Sequence, residues 1–289
     1  MADLTTIILT FNEEKNIADA INSVKDVSKR VVVIDSFSTD KTVEIAKSLG
    51  AEIYQNKWTN HATQYQYGID VSNITTKWIL RLDADERLTN QSAKELNELC
   101  DKNTNTDVNG IIMRLEVNFL GKSLKHGGIY PLKVLRIYKN KIGYIESRNM
   151  DEHIVLKKGK TIEMKTDCLH HDYKDLSAWI DKHNKYSSKE VIDYYENLKS
   201  EKQVIVLDKS AKIKRFVKFN IYYKLPIGTR AHLYYLYRYY FKMGFLDGKE
   251  GKIFAFMQAY WYRFLVDAKI YEKEKKLVND NEKNINING

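Results

Sequence analysis

Apolar residues arrive in short blocks along the first eighty positions, and their spacing switches between two periods. Residues 4–10 (Leu-Thr-Thr-Ile-Ile-Leu-Thr) form a compact β-branched block that predicts a buried strand. Ile17, Ala20, Ile21 and Val24 recur at helical spacing, which predicts a helix over Glu14 to Val24 with Asn12 as its cap. Residues 30–35 (Arg-Val-Val-Val-Ile-Asp) are a continuous apolar run, the pattern of a strand covered on both faces. Ser38-Thr39-Asp40 then opens a second helix carrying Val43, Ile45, Ala46 and Leu49, and Gly50 sits where a helix is closed by a left-handed residue. Residues 51–54 predict a third strand, residues 60–71 a third helix, and residues 77–82 a fourth strand that runs into Asp83.

After Asp85 the alternation loosens. Residues 109–119 and 131–138 read as strands separated by a glycine-containing turn from Gly121 to Gly128, and 153–156 and 161–169 add two more. From about residue 175 the period becomes helical, with Leu176, Trp179, Ile180, His183, Tyr186 and Val191 in step. Residues 212–222 and 231–241 read as amphipathic basic helices, and the last fifteen residues as a frayed polar tail. The βαβαβαβ start predicts an α/β fold, a Rossmann-like doubly wound mixed sheet, followed by a helical, basic-aromatic C-terminal extension. The expected domains are 1–172, with halves 1–100 and 101–172, then a helical region 173–275 and a tail 276–289. No Gly-x-Gly-x-x-Gly follows the first strand, which speaks against a dinucleotide cofactor.

Composition narrows this picture. A chain of 289 residues with 43% hydrophobic and 12% aromatic content can pack one large domain with an appendage. The two cysteines, Cys100 and Cys168, fit no zinc spacing and predict free buried thiols. The chain enters a strand pattern at once without a signal-peptide pattern, and no apolar run reaches the roughly 18 residues of a spanning helix. A cytoplasmic protein is the expectation. The net charge of +9 is unevenly placed. Between Asp208 and Arg263 twelve Lys and Arg face only Asp208, Asp247 and Glu250, a surplus equal to the whole net charge. A basic, tyrosine-rich segment predicts an anionic partner such as a membrane surface, a nucleic acid or an anionic glycan.

The candidate chemistry lies where the predicted strands end, since open α/β sheets bind ligands beyond their carboxyl edge. The first strand ends in Thr10-Phe11-Asn12-Glu13-Glu14, the second in Asp35-Ser36-Phe37-Ser38-Thr39-Asp40, and the fourth in Asp83-Ala84-Asp85. On an extended chain Asp83 and Asp85 point the same way, and two convergent carboxylates can hold a hard divalent cation that in turn binds a diphosphate. Asp35, a carboxylate ending an apolar strand, suits a ribose hydroxyl or a base N–H. Asp40 suits a helix N-terminus.

These pieces resemble, in order and spacing, the family 2 inverting glycosyltransferases of the GT-A fold. The likeness rests on Thr10-x-Asn12-Glu13, on Ile34-Asp35-Ser36-x-Ser38-Thr39-Asp40, and on Trp78-Ile79-Leu80-x-Leu82-Asp83-Ala84-Asp85-Glu86. The resemblance implies a nucleotide-diphosphate sugar as donor, with UDP as the expected nucleotide. It also implies a Mg²⁺ or Mn²⁺ ion at Asp83 and Asp85, with Thr10, Asn12, Glu13, Asp35 and Ala84 lining the donor site. Asn60 to Gly68 resembles the donor-site helix of the lipopolysaccharide-core and capsule branch and adds Gln64, although that branch often carries Asn and Ala where this chain has Gln66 and Gly68.

Arg148-Asn149-Met150-Asp151-Glu152-His153 resembles the segment that carries the catalytic base in that branch, with Glu152 matching the base by position and Asp151 as the alternative. At most one of His170 and His171 can complete the cation site, because neighbours on a strand end face opposite ways; His171 enters the candidate set with Asp83 and Asp85. The segments Tyr237-Arg238-Tyr239, Gly244-Phe245-Leu246-Asp247-Gly248 and Trp261-Tyr262-Arg263 resemble the C-terminal part of these enzymes. The expected acceptor is a glycan or glycolipid of a bacterial surface polymer, at the inner face of the cell membrane. The basic tail would sit on anionic lipid or form a homo-oligomer. A nucleotidyltransferase is the competing enzyme class, but it usually needs a basic Gly-rich loop where this chain has Phe11-Asn12-Glu13-Glu14. A nucleic-acid-binding protein would leave the three acidic strand ends unexplained.

Overall fold

A computed structural model describes residues 1–146, 153–199 and 225–287. The predicted helix at 212–222 and the segment holding Asp151 and Glu152 lie outside the described residues. The described chain divides into two compact units, one of residues 1–125 and 129–174, the other of residues 126–128 and 175–289.

The first unit is built on one large sheet. Its strands are β1 (Ala2–Thr10), β2 (Ser28–Asp35), β3 (Glu52–Gln55), β4 (Trp78–Asp83), β5 (Glu86–Arg87), β6 (Val108–Phe119), β7 (Lys122–Ser123), β8 (Leu132–Lys139) and β11 (Lys160–His170). The order is β3-β2-β1-β4-β8-β6-β11-β5, with β7 on β6. The first four strands are parallel; β8 enters antiparallel between β4 and β6. β9 (Gly143–Ile145) and β10 (Ile154–Leu156) form a separate antiparallel pair. The sheet is therefore a doubly wound parallel half with a mixed half added.

The parallel half folds as its pattern demands. Alternate residues of β1 and β2 feed two cores: Ile8 and Val33 meet Ile17, Ala20, Ile21 and Val24 of helix α1 (Ile17–Val24), while Ile7, Val32 and Ile34 meet Tyr65 of α3 (His61–Val71) on the other face. α3 is capped by Asn60, whose side chain accepts from the Thr63 amide at 2.8 Å. It packs closely: a Cβ on Gly68 would lie 2.7 Å from Ile34 Cγ1. α2 (Thr42–Ser48) ends as expected, with Gly50 at φ +81°. α4 (Asn90–Lys102) begins with a capping box between Thr89 and Ser92. Cys100 and Cys168 are buried free thiols.

One local expectation fails. α1 begins at Ile17, not Glu14, and Asn12 is no helix cap. Asn12 holds φ +55° and its side chain instead accepts from the Thr39 amide at 2.9 Å. Asn tolerates this left-handed conformation better than most residues, so the turn leaving β1 can form there.

The second unit is helical. α5 (Leu176–Lys199) packs Val191 against Tyr262, Val266 and Ile270 of the helix Tyr262–Ile287. Trp179 stacks on His183 with centroids 3.5 Å apart, and Glu190 accepts from Tyr262 Oη at 2.8 Å.

Candidate active site

Strand order fixes where a crevice must open. β2 and β3 lie to one side of β1 and β4 to the other, so the chain reverses its winding between β1 and β4. In such sheets ligands bind at that reversal, beyond the carboxyl ends. The registers pair Thr10 with Asp35 and Leu9 with Asp83, so the three polar strand ends stand side by side.

The loops after β1 and β2 are laced together. Asn12 N donates to Ser38 Oγ at 2.9 Å, Glu13 N to Thr42 Oγ1 at 2.7 Å, and Glu14 N to Asp40 Oδ2 at 3.1 Å. Asp40 also accepts from the Thr42 amide at the start of α2, the terminal role expected of it. Asp35 is fully buried. It accepts from Ser38 N at 3.0 Å, Gln55 Nε2 at 2.9 Å and Thr10 Oγ1 at 3.3 Å, and from the Ser38 hydroxyl. Its acceptor positions are occupied, so a ribose hydroxyl would have to displace one of these donors. Gln64 is also fully buried, and its amide is engaged with Ser36 Oγ at 3.0 Å and with Asn56. It braces the turn after β2.

Glu13 turns toward the end of the unit, where its carboxylate accepts from Lys174 Nζ at 2.6 Å and Asn16 Nδ2 at 2.8 Å. Burial pushes its carboxyl pKa upward, against the pull of Asn16 and Lys174. Asn16 also reaches Asp172 at 2.9 Å and accepts from Tyr173 N at 2.9 Å, tying the loop after β1 to residues 172–174.

Asp83 and Asp85 have different surroundings. β4 ends at Asp83, so strict alternation does not carry through to Asp85. Asp83 is held by Arg136 of β8, with Arg81 3.8 Å away. Burial pushes its carboxyl up, but Arg136 and then Arg81 outweigh this and hold it at about 2. Arg136 also donates to Glu86, whose other oxygen accepts from the Asp83 amide at 3.1 Å. Ala84 is buried in the turn between them. Asp85 instead faces His170, with Oδ2 and Nε2 3.3 Å apart.

The sequence profile of glycosyl transferase family 2 matches residues 5–157. The chain belongs to this family. A glycosyltransferase of Rickettsia typhi is 29% identical over 96% of this chain and 89% of its own. One of Rickettsia prowazekii is 30% identical over 67% of this chain and 68% of its own. The fold is similar to that of a mannosyltransferase from Pyrobaculum calidifontis, solved in complex with GDP-Man and Mn²⁺. The TM-score is 0.54 at 14% identity, covering 93% of this chain and 87% of that one. The protein is thus a glycosyltransferase of GT-A-like fold.

In this glycosyltransferase the residues expected from sequence to hold a cation lie in different surroundings, with Asp83 held by Arg136. His170, not His171, faces Asp85. β11 ends at His170, opposite Glu86 of β5, which sends that ring toward the acidic turn. His171 donates its amide to Asp85 O at 2.8 Å, and its ring lies 4.5 Å from Tyr173. Among the described residues no group of three or more His, Cys, Asp and Glu is arranged to hold a metal. Asp85 and His170, a carboxylate and an imidazole 3.3 Å apart, are the residues that could hold one.

Arg136, Glu86, Arg81, His170 and Lys174 carry much of the glycosyltransferase site's electrostatics, and sequence reasoning assigned none of them a firm role. A signal existed for Arg136: it lies in β8 between buried or half-buried Leu135, Ile137 and Tyr138, and a charge among such neighbours requires a partner.

Proposed function

We propose that this glycosyltransferase moves a sugar from a nucleotide-diphosphate donor, expected to be a UDP-sugar, to a hydroxyl of a bacterial surface glycan or glycolipid, inverting the anomeric centre. The observation that carries this reading is the register that sets Thr10, Asp35 and Asp83 side by side at the winding reversal, with Asp85 beyond. Thr10, Asn12 and Asp35 would frame the nucleoside, and Asp83 and the turn through Ala84 the sugar diphosphate. Asp85 with His170 would hold Mg²⁺ or Mn²⁺, which stabilises a leaving diphosphate. The fold neighbour's complex with GDP-Man and Mn²⁺ supports such a donor and cation.

In a single displacement the acceptor oxygen attacks the anomeric carbon from the face opposite the diphosphate. The new glycosidic bond forms as the carbon–diphosphate bond breaks, and the nucleoside diphosphate leaves with the electron pair. The acceptor proton passes to a carboxylate, for which Glu152 is the first candidate and Asp151 the second. The enzyme would work at the inner face of the cell membrane, where lipid-linked acceptors are within reach.

A panel of UDP-, GDP- and dTDP-sugars, screened with Mn²⁺ for thermal stabilisation and donor hydrolysis, tests this. One nucleotide class should stabilise the protein, and hydrolysis should stop in excess EDTA. Stabilisation by none of the panel, or undiminished turnover in EDTA, would overturn the donor or the cation part respectively.

A further inference from the structure

The helical unit is turned inside out at one end. In the helix Thr229–Leu236 and the π-helical turn Tyr237–Phe241 that continues it, the buried side chains include Arg230 and Arg238. Arg230 pairs with Asp267; Arg238 donates to the Gly127 carbonyl and to Gln258 Oε1 at 2.8 Å. Leu233, Tyr237, Tyr240 and Phe241, which recur at helical spacing, face solvent, and Phe241 is 79% exposed. A helix of a water-soluble surface shows the reverse arrangement. The chain then turns at Met243, φ +55°, and Gly244, and the exposed side chains of Phe245 and Leu246 continue the apolar run.

The charges around this ridge are of one sign. Lys242, Lys249 and Lys252 are exposed. The nearby acids are withdrawn: Asp247 is buried, accepting from His126 N at 2.8 Å and pairing with its ring, and Glu250 is half-buried. An exposed apolar ridge flanked by lysines complements a surface with an apolar interior and anionic headgroups.

We infer that residues 233–252 form a docking surface for an anionic lipid bilayer, with Phe241 and Leu246 entering the acyl boundary and the three lysines meeting the headgroups. Among the described residues no helix is long and apolar enough to cross a membrane. A second copy of the chain fits less well, because a two-fold contact on this face would bring lysines against lysines. The inference rests on the proposed function for its purpose alone, namely carrying the enzyme to a lipid-linked acceptor.

Flotation of the full chain on vesicles tests it without any sugar donor, so the outcome is independent of the transfer reaction. Phosphatidylglycerol–phosphatidylcholine vesicles are compared with pure phosphatidylcholine, at low and high salt. Two variants accompany the wild type: Phe241→Ser with Leu246→Ser, and Lys242, Lys249 and Lys252 all changed to Glu. All five side chains are exposed, so both variants should melt with the wild type. The wild type should float on anionic vesicles at low salt, and each variant should lose binding by roughly tenfold or more. Wild-type protein left in the soluble fraction on anionic vesicles at low salt would overturn the inference. So would variants that float like the wild type, or a dimer in light scattering that the Phe241 variant dissolves.

Discussion

Arg136 donates to Asp83 and to Glu86 through the same terminal nitrogen. Its side chain is nearly buried, as is that of Glu86, so one guanidinium charge is shared between two carboxylates under the acidic turn, and burial pushes the Glu86 carboxyl upward. Glu86 in turn accepts the Asp83 amide, which fixes the backbone as well as the carboxylate. Removing one member of such a cluster leaves a buried charge without its partner, at a cost of about 3–5 kcal/mol. Arg136→Gln should therefore lower stability by that order in urea unfolding. Arg136→Lys, which keeps the charge but loses the planar fork, should fall between. A stability within 1 kcal/mol of wild type for Arg136→Gln, on the order of a surface change, would mean that the pair contributes little.

The proposed cation site draws on one side of the acidic turn. With Asp83 occupied by arginines and His171 turned to Tyr173, Mn²⁺ should depend on Asp85 and His170. Asp85→Asn and His170→Gln should each weaken Mn²⁺ binding, measured by paramagnetic resonance in the presence of UDP, by at least the roughly 10–100-fold lost when a mere outer-shell partner of a ligand is removed. His171→Gln should change it little. The opposite ranking of the two histidines would restore the arrangement first expected from sequence.

Gly68 is a packing requirement. A Cβ there would stand 2.7 Å from Ile34 Cγ1 and 3.5 Å from Ile7 Cγ2, in the core between α3 and the sheet. Gly68→Ala should cost about 1–3 kcal/mol through overpacking, despite the better helix propensity of Ala. Gly68→Ala should cost less in an Ile34→Ala background, which removes both Cγ1 and Cδ1, if the clash is local. An equal cost of Gly68→Ala in the two backgrounds in thermal melts would rule out the clash as the cause.

Glu95 gives the clearest pH dependence away from the site. This α4 residue accepts from the amides of Lys165 and Thr166 at 2.7 and 2.8 Å, and from the Thr166 hydroxyl, clamping α4 to β11. Burial pushes its carboxyl up, but the Thr166 and Lys165 hydrogen bonds to the ionised form outweigh that and leave the pKa below 4.5. A carboxyl with a lowered folded pKa stabilises fully above its unfolded pKa and loses that contribution as pH falls through the folded value. Wild-type stability should therefore drop below about pH 4.5, and Glu95→Gln should flatten part of that drop. Parallel pH curves for the two proteins would exclude the clamp.

The parallel half of the sheet was legible because its strands are short, β-branched and covered on both faces, so Ile7, Ile8, Val32 and Val33 could be placed from pattern alone. The three polar strand ends followed from the same pattern. Their interior wiring did not. Whether Glu13 faces a ligand or Lys174, and whether His170 or His171 turns to Asp85, depends on where β11 stops and on contacts between residues some 85 to 160 positions apart. The helix at 231–241 shows the limit of periodicity most plainly. Spacing identified its apolar face correctly, but whether that face turns inward depends on Asp267 and Gly127, which receive Arg230 and Arg238.

Kinetics distinguish the two candidate bases. Once a donor is known, Glu152→Gln should leave nucleotide binding intact and lower kcat by on the order of 10²-fold or more, because only the proton transfer is removed. Asp151→Asn should cost less if Glu152 is the base. The split between kcat and KM matters: a fall in kcat with unchanged donor KM marks a group that acts in the transition state, whereas a rise in KM marks a binding group. A larger loss for Asp151→Asn would transfer the role to that residue. Near-wild-type kcat in both variants would remove the segment from the chemistry and turn the search to the other carboxylates near the acidic turn.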